Sequence, residues 1–174
     1  MQFIPEEKIM EKTMAHCFSH VGVSVPDIDA AIEWYSKVFG FVLIAAPVTV
    51  RNDGSYDGNV EADICGEKFG AEKIAHMVTG DGTGFELFEF LDPKPERRED
   101  TMEYWKNGFF HIAITHPDVE SKVQEIVDNG GLKRSEVWEL FPGQDIKFCY
   151  CEDPYGNVLE IVSHRYEQML ANRS

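Results

Sequence analysis

One nine-residue pattern occurs twice in this chain. His20-Val21-Gly22-Val23-Ser24-Val25-Pro26-Asp27-Ile28 and His111-Ile112-Ala113-Ile114-Thr115-His116-Pro117-Asp118-Val119 both read H-[VI]-[GA]-[VI]-[ST]-x-P-D-[IV], at an offset of 91 residues. Chance seldom repeats nine positions, so the chain reads as two copies of one supersecondary unit. Before Pro-Asp each copy alternates with period two, which predicts a half-buried strand; after it the period turns helical. Ile28, Ala31, Ile32, Tyr35 and Phe39 form one helical stripe that ends at Gly40, and Val119, Val123, Ile126 and Val127 form another that ends at Gly130-Gly131. Glycine suits the left-handed turn that closes a helix, and Pro26 and Pro117 suit helix entry, where a missing N–H costs nothing.

Strand-like runs follow each helix. In the first half these are Phe41–Ala46, a segment around Val60–Cys65, Ile74–Thr79 and Phe85–Leu91; in the second they are Ser135–Leu140, Ile146–Cys151 and Val158–Ser163. Each half is therefore strand, helix and about three strands. Residues 52–58 and 66–73 read as loop insertions, so the segment Val48–Lys73 is expected to elaborate a lid or an interface. Asp92–Asn107, with two prolines and a run of charge, reads as a linker with a short helix at Glu99–Trp105. The expected organisation is an N-terminal extension 1–15, a first module 16–91, a linker 92–108, a second module 109–164 and a tail 165–174.

Composition narrows the partners. Sixteen Lys+Arg against 31 Asp+Glu give a formal charge of −15 over 174 residues, which speaks against nucleic acid and against an anionic membrane surface, since both are bound through clustered cations. The only adjacent basic pairs are Arg97-Arg98 and Lys133-Arg134. A hydrophobic fraction of 43% is ample for a packed core. Met1–Met14 lacks the basic start and apolar run of a signal peptide, and the longest apolar run, Phe41–Ala46, stops at Pro47, far short of a membrane span. A cytoplasmic location is the expectation. Cys17, Cys65, Cys149 and Cys151 make no C-x-x-C pair, so disulfides and thiolate zinc sites are not expected; Cys149 and Cys151 read as packing residues on one strand face.

Alternation places Val21, Val23 and Val25 on the helix-facing side of the first strand and His20, Gly22 and Ser24 on the other; Ile112 and Ile114 oppose His111, Ala113 and Thr115 in the same way. Each half also ends in an apolar strand that carries a carboxylate, Phe85-Glu86-Leu87-Phe88-Glu89-Phe90 and Val158-Leu159-Glu160-Ile161-Val162. A lone buried Glu is costly unless paired or metal-bound. A His at the start of a strand is ordinarily a surface or hydrogen-bonded core residue, and a Glu in a strand is ordinarily solvated. Repetition of both in one chain points instead to a pseudo-symmetric site of two His and two Glu that balances a divalent ion: Ni, Co, Mn, Fe or Zn. Glu86 and Glu89 are three apart and face opposite ways, so one of them belongs to the site, and alternation leaves open which. His16, His76, His116 and His164 have no repeat partners and read as structural or exposed.

The sequence resembles the vicinal oxygen chelate superfamily of glyoxalases, bleomycin resistance proteins and extradiol dioxygenases, and its ligand pattern is most similar to glyoxalase I and methylmalonyl-CoA epimerase. The resemblance rests on Ser19–Ile28, Trp34-Tyr35-Ser36-Lys37-Val38-Phe39-Gly40-Phe41, Phe85–Phe90, Phe110-His111-Ile112-Ala113 and Glu152-Asp153-Pro154-Tyr155-Gly156-Asn157-Val158-Leu159-Glu160. It implies an α+β fold in which two tandem βαβββ modules form an open eight-stranded barrel, or cup, with the helices outside. It also implies one divalent metal per cup held by His20, Glu86, His111 and Glu160, which selects Glu86 over Glu89, and a homodimer. The implied chemistry is that of a lyase or isomerase: the metal holds two adjacent substrate oxygens, a neighbouring C–H is lost to give an enediolate or enolate, and a carboxylate, Glu160 first and Glu86 second, moves the proton.

Bacterial glyoxalase I typically carries an Arg four residues after the first His and an Asn four after the first Glu, both gripping glutathione; here those positions are Ser24 and Phe90. A different thiol adduct, or none, follows. Ser24, Phe88, Phe90 and Thr115 are candidate pocket residues, with Phe88 and Phe90 sharing the face of Glu86; ordinary barrel packing is the plainer reading of the two Phe. Trp105, Trp138, Phe109 and Phe141 lie near module junctions, where they rim the mouth or, more simply, pack in the core. Three other readings stay open: a methylmalonyl-CoA-type epimerase, an Fe(II) extradiol dioxygenase using His20, His111 and Glu160, and a metal-free ligand-sequestering protein. The anionic exterior disfavours CoA, so a small neutral or weakly acidic oxygenated metabolite is the expected substrate.

Overall fold

A computed structural model describes residues 16–98 and 100–171; the expected N-terminal extension lies outside them. Strand β1 (His20–Ser24) leads into helix α1 (Ile28–Phe39), β2 (Val42–Arg51), α2 (Tyr56–Cys65), β3 (Ala71–Val78) and β4 (Gly84–Asp92). The second half repeats the pattern with β5 (Ile112–Thr115), α3 (Val119–Asp128), β6 (Leu132–Lys133), β7 (Trp138–Glu139), β8 (Lys147–Glu152) and β9 (Val158–Val162), followed by α4 (Tyr166–Leu170) in the tail. The first sheet has the order β1-β4-β3-β2; the second has the order β5-β9-β8-β6, with β7 also on β8. In both, the first strand runs parallel to the last and the others are antiparallel. The architecture is the expected α+β pair of modules. The barrel is not closed, and the described residues form nine strands rather than eight.

Local chemistry sets the helix ends. The Asp27 carboxylate caps α1 by accepting from the Ala30 N–H at 3.0 Å, and Asp118 caps α3 by accepting from Ser121 at 2.9 Å. The two prolines therefore stand one residue before the caps rather than inside the helices. Gly40 closes α1 at φ 67°. Of the predicted stripes, Ile28, Ala31 and Tyr35 of α1 and Val119, Val123 and Ile126 of α3 are buried, Ile32 and Phe39 pack half-buried against them, and Val127 is exposed; Trp34 and Val38 join the same core, which also holds Met77, Phe85, Leu87, Cys149, Cys151, Leu159 and Ile161. At about 1.5–3 kcal/mol for each large side chain removed from water, this shared core dominates the stability. Polar bonds tie the modules together inside it: Tyr35 donates to Asp153 Oδ2 at 2.6 Å, Trp34 Nε1 to the Asn129 carbonyl at 2.9 Å, and Lys122 Nζ to the Val38 carbonyl at 2.5 Å.

Four sequence expectations need correction. The segment around Val60–Cys65 is helical: Ser55 caps α2 by accepting from Gly58 at 3.1 Å, and the apolar residues of a short run at i and i+4 serve a helix as readily as a strand. Strand β2 runs on through Pro47, which an edge strand tolerates at an irregularity; register shifts fall between Leu43 and Ala45 and between Ala45 and Val48. The expected strand Ser135–Leu140 is broken, because Arg134 and Ser135 both donate to the Tyr150 carbonyl, which leaves two-residue strands on either side. The linker carries no helix within its described residues. Thr101 is instead bound to Glu152 and Arg134 of the second module.

Candidate functional site

Register fixes the site before any side chain is placed. Glu86 on β4 lies opposite Gly22, two residues past His20; Glu160 on β9 lies opposite Ala113, two residues past His111. The repeat therefore sets each His beside its own Glu, on the sheet face away from the helices. His20 Nε2 stands 3.4 Å from Glu86 Oε2, and His111 Nε2 stands 3.2 Å from Glu160 Oε2. Gly84 makes the first pair possible, since a Cβ there would meet His20 Cβ at 2.8 Å. Glu89 points the other way, where it accepts from Lys73 Nζ at 3.0 Å and from the Ile28 N–H at 3.1 Å at the start of α1. On this geometry Glu86, and not Glu89, is the carboxylate that shares the face of His20.

The pairs differ in their third neighbour. His76, on β3 opposite Glu86, places Nδ1 3.2 Å from Glu86 Oε1, so Glu86 stands between two imidazoles. The equivalent neighbour of Glu160 is Tyr150, whose ring lies 5.2 Å from that of His111. Sequence reading passed over His76 because it has no counterpart in the repeat; the signal for it was its position across a hairpin from Glu86. Burial raises the Glu160 carboxyl above its usual range, and His111 opposes that shift. Burial and the Glu160 charge together push the Tyr150 phenol up. His111 Nδ1 is buried without a partner.

Nitrogen and oxygen donors 3.2–3.4 Å apart fit two adjacent corners of a divalent ion's shell, since ligands at about 2.1 Å and a right angle stand roughly 3 Å apart. Each pair thus suits half of a site. Among the described residues no three His, Cys, Asp or Glu side chains converge as ligands within the chain. Between β1 and β5 lies a cavity of about 1030 Å³ lined by His20, Gly22, Phe85, Phe109, His111 and Thr115, among others, roomy enough for a small molecule. Of the other candidate pocket residues, Phe88 and Phe90 lie on the Glu86 face and stack at 6.1 Å, outside this cavity, and Ser24 is exposed. Phe109 is 99% exposed, Trp105 61% and Trp138 60%, so these three are not core residues; Phe141 is half-buried.

Comparison with known proteins agrees with this architecture. The curated 2-epi-5-epi-valiolone epimerase of an Actinomyces species is 27% identical over 148 residues, which is 83% of this chain and 77% of that protein. A glyoxalase family protein from Bacillus cereus superposes with a TM-score of 0.69 at 24% identity, over 88% of this chain and 97% of its own. Glyoxalase I from Zea mays gives 0.57 at 23% identity, over 84% of this chain and 44% of its own. These two structures establish the fold alone. A sequence profile described as the glyoxalase/bleomycin resistance protein/dioxygenase superfamily matches residues 18–161. With the duplicated module and its repeated His–Glu pairs, that match over most of the chain makes the protein a member of this superfamily.

Proposed function

We propose that the protein is a divalent-metal-dependent lyase or isomerase of the glyoxalase I type, which moves a proton next to a carbonyl of a small oxygenated metabolite. The observation that carries this reading is the pair of His–Glu contacts, 3.4 and 3.2 Å, at equivalent positions of two modules. His20, Glu86, His111 and Glu160 would hold the ion, which would supply Lewis acidity to adjacent substrate oxygens. Glu160 is the proton-transferring base: a half-buried carboxyl with a raised pKa suits proton exchange with carbon better than a solvated one. His76 holds Glu86 in place, and its second ring nitrogen is available on the same sheet face.

Epimerisation is the second reading, because a stereocentre is inverted most directly by proton-handling groups on two sides, and His76 and Glu160 belong to different modules. The curated epimerase relative supports it, and so do Ser24 and Phe90 where glutathione contacts would stand. The four ligands do not converge within one chain, which supports a homodimer in which the first module of one copy faces the second module of the other.

Elemental analysis combined with a turnover screen of methylglyoxal–thiol adducts, methylmalonyl-CoA and catechols tests the chemistry. Oxygen uptake with catechols moves the assignment to a dioxygenase, and no affinity for any divalent ion moves it to a sequestering protein. Mixing His20→Ala with His111→Ala chains tests the shared cup. Each heterodimer would regain one intact site, so the inactive variants recover activity together; a cup closed within one chain recovers none.

A further inference from the structure

Helix α2, the insertion in the first module, is held by very little. Gly58 is its one buried residue, and Tyr56 and Ile64 are 82% and 70% exposed. Glycines at positive φ, Gly54 at 83° and Gly66 at 85°, flank it. Its first turn abuts β2 so closely that a Cβ on Gly58 would meet the Arg51 carbonyl oxygen at 2.1 Å. Beyond that turn, Glu61 and Cys65 face Glu72 on β3.

Glu72 shares a face of β3 with Ile74 and His76, opposite the face on which Ala75 and Met77 enter the helix-side core. Across the hairpin Phe90 opposes Glu72, Phe88 opposes Ile74 and Glu86 opposes His76, so one continuous face runs from the His20–Glu86 pair to Glu72. Glu72 is fully buried, and neither carboxyl oxygen has a donor. Glu61 and Cys65, one turn apart on α2, are the titratable groups that face it from the helix. Its cross-strand neighbours Val50 and Phe90 carry no charge, and no lysine or arginine acts on it. Two carboxylates can approach in such a place only with a proton between them.

We infer that α2 is a lid over the far end of this face, latched by one proton shared between Glu61 and Glu72 and released as that proton is lost. Burial first and Glu61 second push the Glu72 carboxyl up to about 7. The closed form therefore keeps its proton where the open form, with an ordinary carboxyl near 4.5, has lost it. Opening becomes more favourable as pH rises from about 4.5 to about 7 and then levels off. The inference is independent of the proposed reaction, because the test below needs neither metal nor substrate.

Backbone hydrogen exchange of residues 57–66, corrected for the intrinsic pH dependence of exchange, reads the opening directly. In the wild-type protein the opening constant should rise by roughly tenfold per pH unit between about 5 and 7 and then flatten. Glu72→Gln should abolish the slope. Glu61→Gln, whose amide can donate to an ionised Glu72, should reduce it by half or more, and it serves if Glu72→Gln does not fold. A flat wild-type profile or an unchanged slope in the folded variants overturns the latch. So does protection that follows added Ca²⁺ or Zn²⁺ at constant pH, which would assign the acidic pair to a cation.

Discussion

Replacing Tyr35 by Phe probes the joint between the two modules. The Tyr35 ring is fully buried against Trp34, Phe41 and Phe85, at centroid distances of 4.9, 5.9 and 4.6 Å; Phe keeps that packing and removes one hydroxyl. That hydroxyl donates at 2.6 Å to Asp153, which is only 2% exposed. Asp153 retains three other donors, the Tyr155 N–H at 2.9 Å and the Asn157 N–H and Nδ2 at 2.7 Å each, so the carboxylate is weakened and not orphaned. A bond to an ionised acceptor contributes about 1.5–3 kcal/mol, and a loss of about 2 kcal/mol is expected.

For a chain of 174 residues that loss lowers Tm by about 5 °C, and scanning calorimetry with urea titration at neutral pH measures it. The sign of the pH dependence follows from Asp153. Burial raises its pKa, while the Tyr35 bond pulls it down, so the bond favours the ionised form. The penalty of Tyr35→Phe should be largest above the Asp153 pKa and shrink as pH falls through it. A loss below about 0.5 kcal/mol at neutral pH, or a penalty that grows on acidification, would refute the reasoning.

Three further outcomes are expected. Gly84→Ala drives a Cβ to 2.8 Å from His20 Cβ, so His20 must turn from Glu86; metal affinity measured by calorimetry should fall about tenfold or more, at a folding cost of about 1–3 kcal/mol. Glu160→Gln should lower turnover, and deuterium incorporation from solvent, by about 10²-fold or more with an unchanged circular dichroism spectrum; retention of full exchange excludes Glu160 as the base. Stability against urea should fall between about pH 5 and 7, by about 2 kcal/mol from Glu72, as the unfolded chain ionises it and the folded chain does not; Glu72→Gln should make the profile shallower, leaving what the raised Glu160 and Asp153 carboxyls contribute, and a variant that keeps the full wild-type decline locates its source elsewhere.

Short-range periodicity made much of the fold legible. The helices that carry the stripes from Ile28 and from Val119, the closing Gly40 and the carboxylates of β4 and β9 appear where the pattern places them, with Val127 the stripe residue left exposed, because strand alternation and helix period are local consequences of backbone geometry. What periodicity misread lay where a short run fits both periods, as in α2, or where hydrogen bonds from elsewhere broke a strand, as at Arg134 and Ser135. His76 was missed for a related reason: a repeat reveals symmetric residues, and His76 breaks the symmetry.

By itself the sequence determined that one unit occurs twice, with a His opening its first strand and a carboxylate inside its last, since both follow from the repeat and from local periodicity. Only the tertiary structure decided that Glu86 faces His20 while Glu89 serves the α1 N-terminus, that His76 joins the first pair, and that the two pairs remain separate within the chain. Strand pairing, register and the packing of one module on the other are long-range. They depend on which surfaces bury each other, and no local pattern of residues carries that information.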